Sequence, residues 1–354
     1  MTPVYKFSAS SIKGRTYYGG MLAGNTTFVP PAPPALAVAH HTSPRISVYP
    51  WEPGFGTKYT NPATLPTGNG NGVDFDSSGN AIVVAHATSP FMSAYPWSSL
   101  GFGTKYADPA TLPAGGGNKA YFSPDNATIA LAHGTTPFSS AYAWSAGFGS
   151  KYANPATLLA GTGYESAWTP SGNDVAFAHN ASPYVTAYPW SAGFGTKYAN
   201  PATLPTGTGY AITFSNAGNA IAVAHYTSPY VSAYPWSAGF GTKYANPGTL
   251  PPDFGLGVRW RATDDALAVS HRGSPFISVY AWSAGFGSKY ANPATLPAGN
   301  NANAPDWTSN GDALAIPTGV TPFIDTYPWS SGFGTRYANP TTVPTGAGYG
   351  VKFL

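Results

Sequence analysis

The 354-residue sequence contains no cysteine, which excludes disulfides, thiolate zinc sites and cysteine-held iron–sulfur clusters. Charge is scarce: Asp, Glu, Lys and Arg make up 8% of residues, against roughly a quarter in an ordinary soluble domain. With a formal net charge of +3, the chain lacks the basic surface that a duplex-DNA binder needs. No apolar run approaches the roughly 18 residues of a membrane span, so membrane insertion is not expected. The opening residues, Met1 to Ser10, lack the apolar core of a secretory signal. There is no P-loop, dinucleotide fingerprint or HExxH motif, so no cofactor is expected. What the chain does have is 42 Gly and 36 Pro, a proportion that in many sequences signals disorder. Aromatic residues at 15% argue instead for a packed β protein.

A repeat organises this composition. Trp51, Trp97, Trp144, Trp190, Trp236, Trp282 and Trp329 each end the phrase Tyr-Pro-Trp or Tyr-Ala-Trp, at spacings of 46 or 47 residues. Each is followed by Gly-Phe-Gly, Thr or Ser, a basic residue and Tyr, as in Gly239 to Tyr244, and then by Asn-Pro or Asp-Pro. Seven copies at this period match the blades of a propeller, each of four antiparallel strands. In one unit, Gly209 to Ser215 reads as the inner strand and Ala220 to His225 as the second. Tyr230 to Trp236 reads as the third, and Thr242 to Asn246 as a short outer strand blunted by Pro247.

The fold expected is therefore an all-β, seven-bladed β-propeller over residues 34–354, preceded by an extended arm at 1–33. An aromatic residue closes each inner strand: Phe75, Phe122, Trp168, Phe214, Trp260, Trp307 and Phe353. The last of these lies in the terminal segment Gly348–Leu354, while the first copy is preceded by a proline-rich stretch unsuited to a central strand. The C-terminal strand is thus expected to complete the first blade and close the ring.

Phe122-Ser-Pro-Asp-Asn126, followed by Thr128 to His133, resembles the core of WD-repeat-like and YVTN-type β-propellers. The longer phrase from Tyr188 to Pro205, repeated with one change from Tyr234 to Pro251, is similar to repeats in propeller proteins encoded by tailed bacteriophages. That resemblance implies a phage virion component: a tail, fibre or capsid-decorating protein. The Trp-Asp dipeptide of true WD repeats is absent, so the hydrogen-bond system of that family is not carried over.

Two rings of repeated residues are candidate sites. The second strand ends in His40, His86, His133, His179, His225 and His271, with Thr318 in the seventh copy. Beside them stand Phe91, Phe138, Tyr184, Tyr230, Phe276 and Phe323. They form either a ring of ligand sites or a framework that hydrogen-bonds each turn. No metal is expected, because packed sheets about 10 Å apart cannot share an ion bound at about 2 Å. Lys58, Lys105, Lys151, Lys197, Lys243, Lys289 and Arg336 form the second ring. They offer either a docking surface for an acidic or anionic partner, or aliphatic stems covering neighbouring tyrosines.

No catalytic constellation is legible, and near-identical copies argue against an enzyme. The departures from the repeat are Arg45, Arg259 to Arg261, Arg272, Thr318 and Asp325, where any unique site would lie. The leading expectation is a non-enzymatic virion protein in an extracellular particle. It would contact other virion proteins or a host glycan or receptor, with possible self-association through residues 1–33. A multivalent glycan-binding lectin is the alternative, and a propeller hydrolase the second alternative.

Overall fold

A computed structural model describes residues 32–299 and 303–354; the expected arm at 1–33 lies almost entirely outside this range. Every regular element among the described residues is a β-strand, and the strands form seven antiparallel sheets of three or four strands. In the unit read above, the inner strand runs Gly209–Phe214, the second Ala220–His225 and the third Val231–Pro235. The second strands are fully buried on both faces, consistent with their small and branched residues, such as Ala-Ile-Ala-Val-Ala. Between successive sheets lies an apolar cluster, for example Ala222, Ala224 and Val231 against Val258, Leu267 and Val269.

The C-terminal strand Gly348–Phe353 pairs with Ala35–His40 of the first sheet, in the register Leu36–Phe353 to His40–Gly348. Leu36, Val38 and Phe353 pack in turn with Ala313, Ala315 and Ile324 of the last repeat.

Each repeat surrounds its Trp with edge-on aromatic rings. Trp236 meets Phe240 of its own turn at 5.0 Å, Phe214 of its inner strand at 5.0 Å, and Tyr198 of the preceding repeat at 5.4 Å. Trp51 is served likewise by Phe55, by Phe353 and by Tyr337 of the last repeat. Each such pair contributes about 0.5–1.5 kcal/mol beyond area burial.

The fourth strand departs from expectation. Four-residue outer strands occur at Phe148–Lys151 and Phe286–Lys289, and a two-residue one at Gly101–Phe102. The other repeats have only a Trp–Phe bridge there, and the expected strand at 242–246 is absent. The cause lies in the residue before the Trp. The Trp N–H bonds inward, as Trp144 does to the Ala127 carbonyl at 2.8 Å, so the preceding N–H faces the outer strand. Ala143 and Ala281 supply that donor, whereas Pro50, Pro96, Pro189, Pro235 and Pro328 have none, and of these copies only that of Pro96 keeps as much as a two-residue strand.

Candidate functional site

The inner strands converge on a cavity of about 550 Å³. Each contributes the residue just before its closing aromatic: Asp74, Tyr121, Ala167, Thr213, Arg259, Asp306 and Lys352. This position carries six residue types in seven copies, the widest variation in an inner strand whose two preceding positions also change from copy to copy. Arg259, Asp306, Lys352 and Asp74 stand on inner strands that neighbour one another in that order, so positive and negative groups alternate along one arc. Ala167 and Thr213 leave the facing arc small and uncharged.

The acids are anchored before they meet the cations. Asp74 accepts the Phe122 N–H at 2.9 Å, and Asp306 the Phe353 N–H at 2.9 Å, each across to the next inner strand. The Lys352 amine lies 3.6 Å from Asp74 and 3.9 Å from Asp306. Arg259 lies 3.5 Å from Asp306 and 3.5 Å from Glu165. Behind the cavity wall, Glu165 accepts the Tyr121 hydroxyl at 2.5 Å and the Ile212 N–H at 3.2 Å, and Arg259 donates to the Tyr121 oxygen at 3.2 Å. Burial pushes the Asp74 carboxyl up to about 6, against the pull of Lys352 and the Phe122 N–H. Burial next to Glu165 holds the Tyr121 phenol well above its ordinary range.

Deeper along the inner strands, Lys119 donates to the carbonyls of Asn71, at 2.6 Å, and Tyr349. Burial lowers its amine to about 8. Its stem and head pass where Gly72 and Gly350 leave space: a Cβ there would sit 2.7 Å from Lys119 Cδ and 2.9 Å from Nζ. One long side chain thus spans ground that two glycines keep open.

The repeated candidates lie elsewhere. The six histidines are fully buried at the opposite end of the inner strands, paired with each strand's first glycine, as in Gly209–His225. Nε2 of each meets a hydroxyl seven residues on: Ser47, Ser93, Ser140, Thr186, Ser232 or Ser278, at 2.9–3.1 Å. Nδ1 of His86, His225 and His271 lies 2.8 Å from a turn carbonyl; since a carbonyl only accepts, Nδ1 carries the proton. Phe91, Phe138, Tyr184, Tyr230, Phe276 and Phe323 are half-buried, at φ of 67–72°.

Lys58, Lys105, Lys151, Lys197, Lys243 and Lys289 are half-buried, and each bonds the Asn or Asp three residues on. Arg336 reaches Asp325 at 2.7 Å instead, and Asp325 stands at the hydroxyl position of the copy that has Thr318 for His. Of the other irregular residues, Arg261 pairs with Asp265 at 2.7 Å and Arg272 covers the Phe254 ring. Arg45 donates to Asn69 at 2.8 Å. Among them Arg259 and its neighbour Trp260 line the cavity.

No protein-family model and no curated protein matches the sequence. Solved structures do match. The periplasmic gluconolactonase PpgL of Pseudomonas aeruginosa superposes with a TM-score of 0.70 at 13% identity, covering 91% of this chain and 99% of that one. A Bacteroides uniformis protein provisionally assigned as a 6-phosphogluconolactonase gives 0.67 at 14% identity, over 91% and 99%. A Lactobacillus plantarum protein gives 0.70 at 16%, over 90% and 99%. At these identities the likeness establishes the fold, a β-propeller.

The comparisons correct several expectations. None of these structures is a phage protein, and two carry the names of lactone-hydrolysing enzymes, one of them periplasmic. The virion reading is therefore withdrawn, together with its extracellular-particle location, its receptor- and glycan-binding roles and its exclusion of catalysis. The physical reason is visible in the phage-like phrase itself. Tyr234 is fully buried, and Trp236 and Phe240 stack edge to face, so the phrase encodes the outside of a blade and says nothing of host or task. The argument from near-identity weighed framework positions. The informative signal lay at the position preceding each closing aromatic, whose residue type changes from copy to copy.

Proposed function

We propose that the chain is a hydrolase of lactones or related small esters, acting in the cavity at the centre of seven blades closed into a ring by the C-terminal strand. The observation that carries this reading is the inner-strand position before each closing aromatic, which gathers Asp74, Tyr121, Arg259, Asp306 and Lys352 around a single cavity. The gluconolactonase names of proteins with this fold support the same class of reaction. In this reading the histidines and the outer lysines belong to the framework.

Asp74 is the proposed general base, since a carboxyl near 6 is ionised at neutral pH yet basic enough to accept a proton. It takes a proton from water, whose oxygen bonds to the lactone carbonyl carbon. Arg259 and Lys352 face the oxyanion that forms, and Lys352 is freed from its pairing with Asp74 as that carboxyl takes the proton. Collapse of this intermediate breaks the bond to the ring oxygen, which receives the proton from Asp74. Lactone and water become a hydroxy acid, which then ionises.

The test is the rate of acid release from D-glucono-1,5-lactone above its spontaneous hydrolysis. Asp74→Asn should lower kcat about 10²–10⁴-fold. The wild-type kcat/KM should rise with pH through about 6, as Asp74 ionises. Unchanged turnover in Asp74→Asn would remove Asp74 from the mechanism.

A further inference from the structure

We infer that the substrate is an uncharged, hydroxyl-bearing lactone and that its phosphorylated counterpart is rejected; this rests on the hydrolase reading above. The charged groups lining the cavity among the described residues are Asp74, Asp76, Asp306, Arg259 and Lys352: three carboxylates against two cations. A phosphate ester carries nearly two negative charges at neutral pH and needs cations that are not already neutralised.

None is on offer. Lys352 sits between Asp74 and Asp306, and Arg259 between Asp306 and Glu165, all within 3.9 Å. At the rim, Arg261 is held by Asp265 at 2.7 Å. The field in the cavity is therefore negative on balance, and it opposes entry of an anion.

The same alternation suits a neutral polyol. Each hydroxyl both donates and accepts, so successive hydroxyls can donate to Asp306 and Asp74 while accepting from Arg259 and Lys352. The small, uncharged arc of Ala167 and Thr213 leaves room for the ring. Ring opening turns a neutral substrate into a carboxylate, and the field that admits the lactone then favours departure of the product.

The experiment compares kcat/KM for D-glucono-1,5-lactone with that for its 6-phosphate. The neutral lactone should be preferred by about tenfold or more. Raising the salt concentration should narrow the gap by improving the phosphorylated substrate alone. Asp306→Asn, which removes one carboxylate, should narrow it too. Equal use or preference for the phosphorylated lactone overturns the inference and leaves the hydrolase reading standing.

If neither lactone is hydrolysed, the hydrolase reading falls, and equilibrium binding of glucose and glucose 6-phosphate decides the charge argument separately. Glucose binding alone upholds it; binding of glucose 6-phosphate, or of neither, overturns it.

Discussion

Acid should unfold this protein abruptly, and the six buried histidines set where. Burial lowers His40, His86, His133, His179, His225 and His271 from 6.5 to about 4. A folded-state value below the unfolded one means that the unfolded chain binds the extra protons. The stability these groups contribute is thus fully present above 6.5 and is lost as pH falls towards 4. Each histidine forfeits on the order of 1 kcal/mol at pH 6 and about 2 kcal/mol at pH 5, so six together forfeit on the order of 5 and 10 kcal/mol. Domains are typically stable by about 5–15 kcal/mol, which places the acid midpoint near pH 5. Asp74, shifted upward, acts in the opposite direction, but by no more than about 3 kcal/mol. The assay is urea unfolding followed by tryptophan fluorescence between about pH 8 and pH 4.5. The slope of stability against pH should approach six protons near pH 5. His225→Gln, which keeps a polar group beside Ser232, should reduce that slope by about one. A urea midpoint unchanged between neutral pH and about pH 4.5 would refute the argument.

Two further predictions concern the frame. Deleting Gly348–Leu354 removes the strand paired with Ala35–His40 and the Phe353 ring beside Trp51. The single cooperative thermal transition should then give way to a broad one, seen by calorimetry; an unchanged transition would contradict ring closure. Asp325→Ala strips a buried carboxylate from Arg336 and from the Ala298 N–H, both at 2.7 Å. It should lower stability by about 3 kcal/mol in urea unfolding, more than any exposed charge removal. A loss within about 0.5 kcal/mol would show that the half-exposed Arg336 is satisfied by water.

The sequence legible on its own was that of the frame. The spacing of the Tyr-Pro-Trp phrases places the strands, because strand, turn and aromatic residues are local signals repeated seven times. The second strand of the unit, Ala220–His225, falls where expected, since an alternating small and branched run bounded by turns has few other outcomes. The missing outer strand at 242–246 was also latent in the sequence, in the proline before Trp236, but only the direction of the neighbouring N–H groups reveals what that proline removes.

The site was less legible. Arg259 stood out as an irregular residue, whereas Asp74, Tyr121, Asp306 and Lys352 did not, being unremarkable residues at one position of copies spaced 46 or 47 residues apart. Sequence by itself determined a repeating β unit, its aromatic packing and its count of copies, because those depend on contacts within a repeat or between adjacent ones. Only the tertiary structure decided what the variation before each closing aromatic means. It brings the ends of seven separate inner strands to a common cavity, where four charges distant along the chain come within ion-pair distance. The same arrangement withdraws six histidines from water, since each lies where a second strand is covered on both faces.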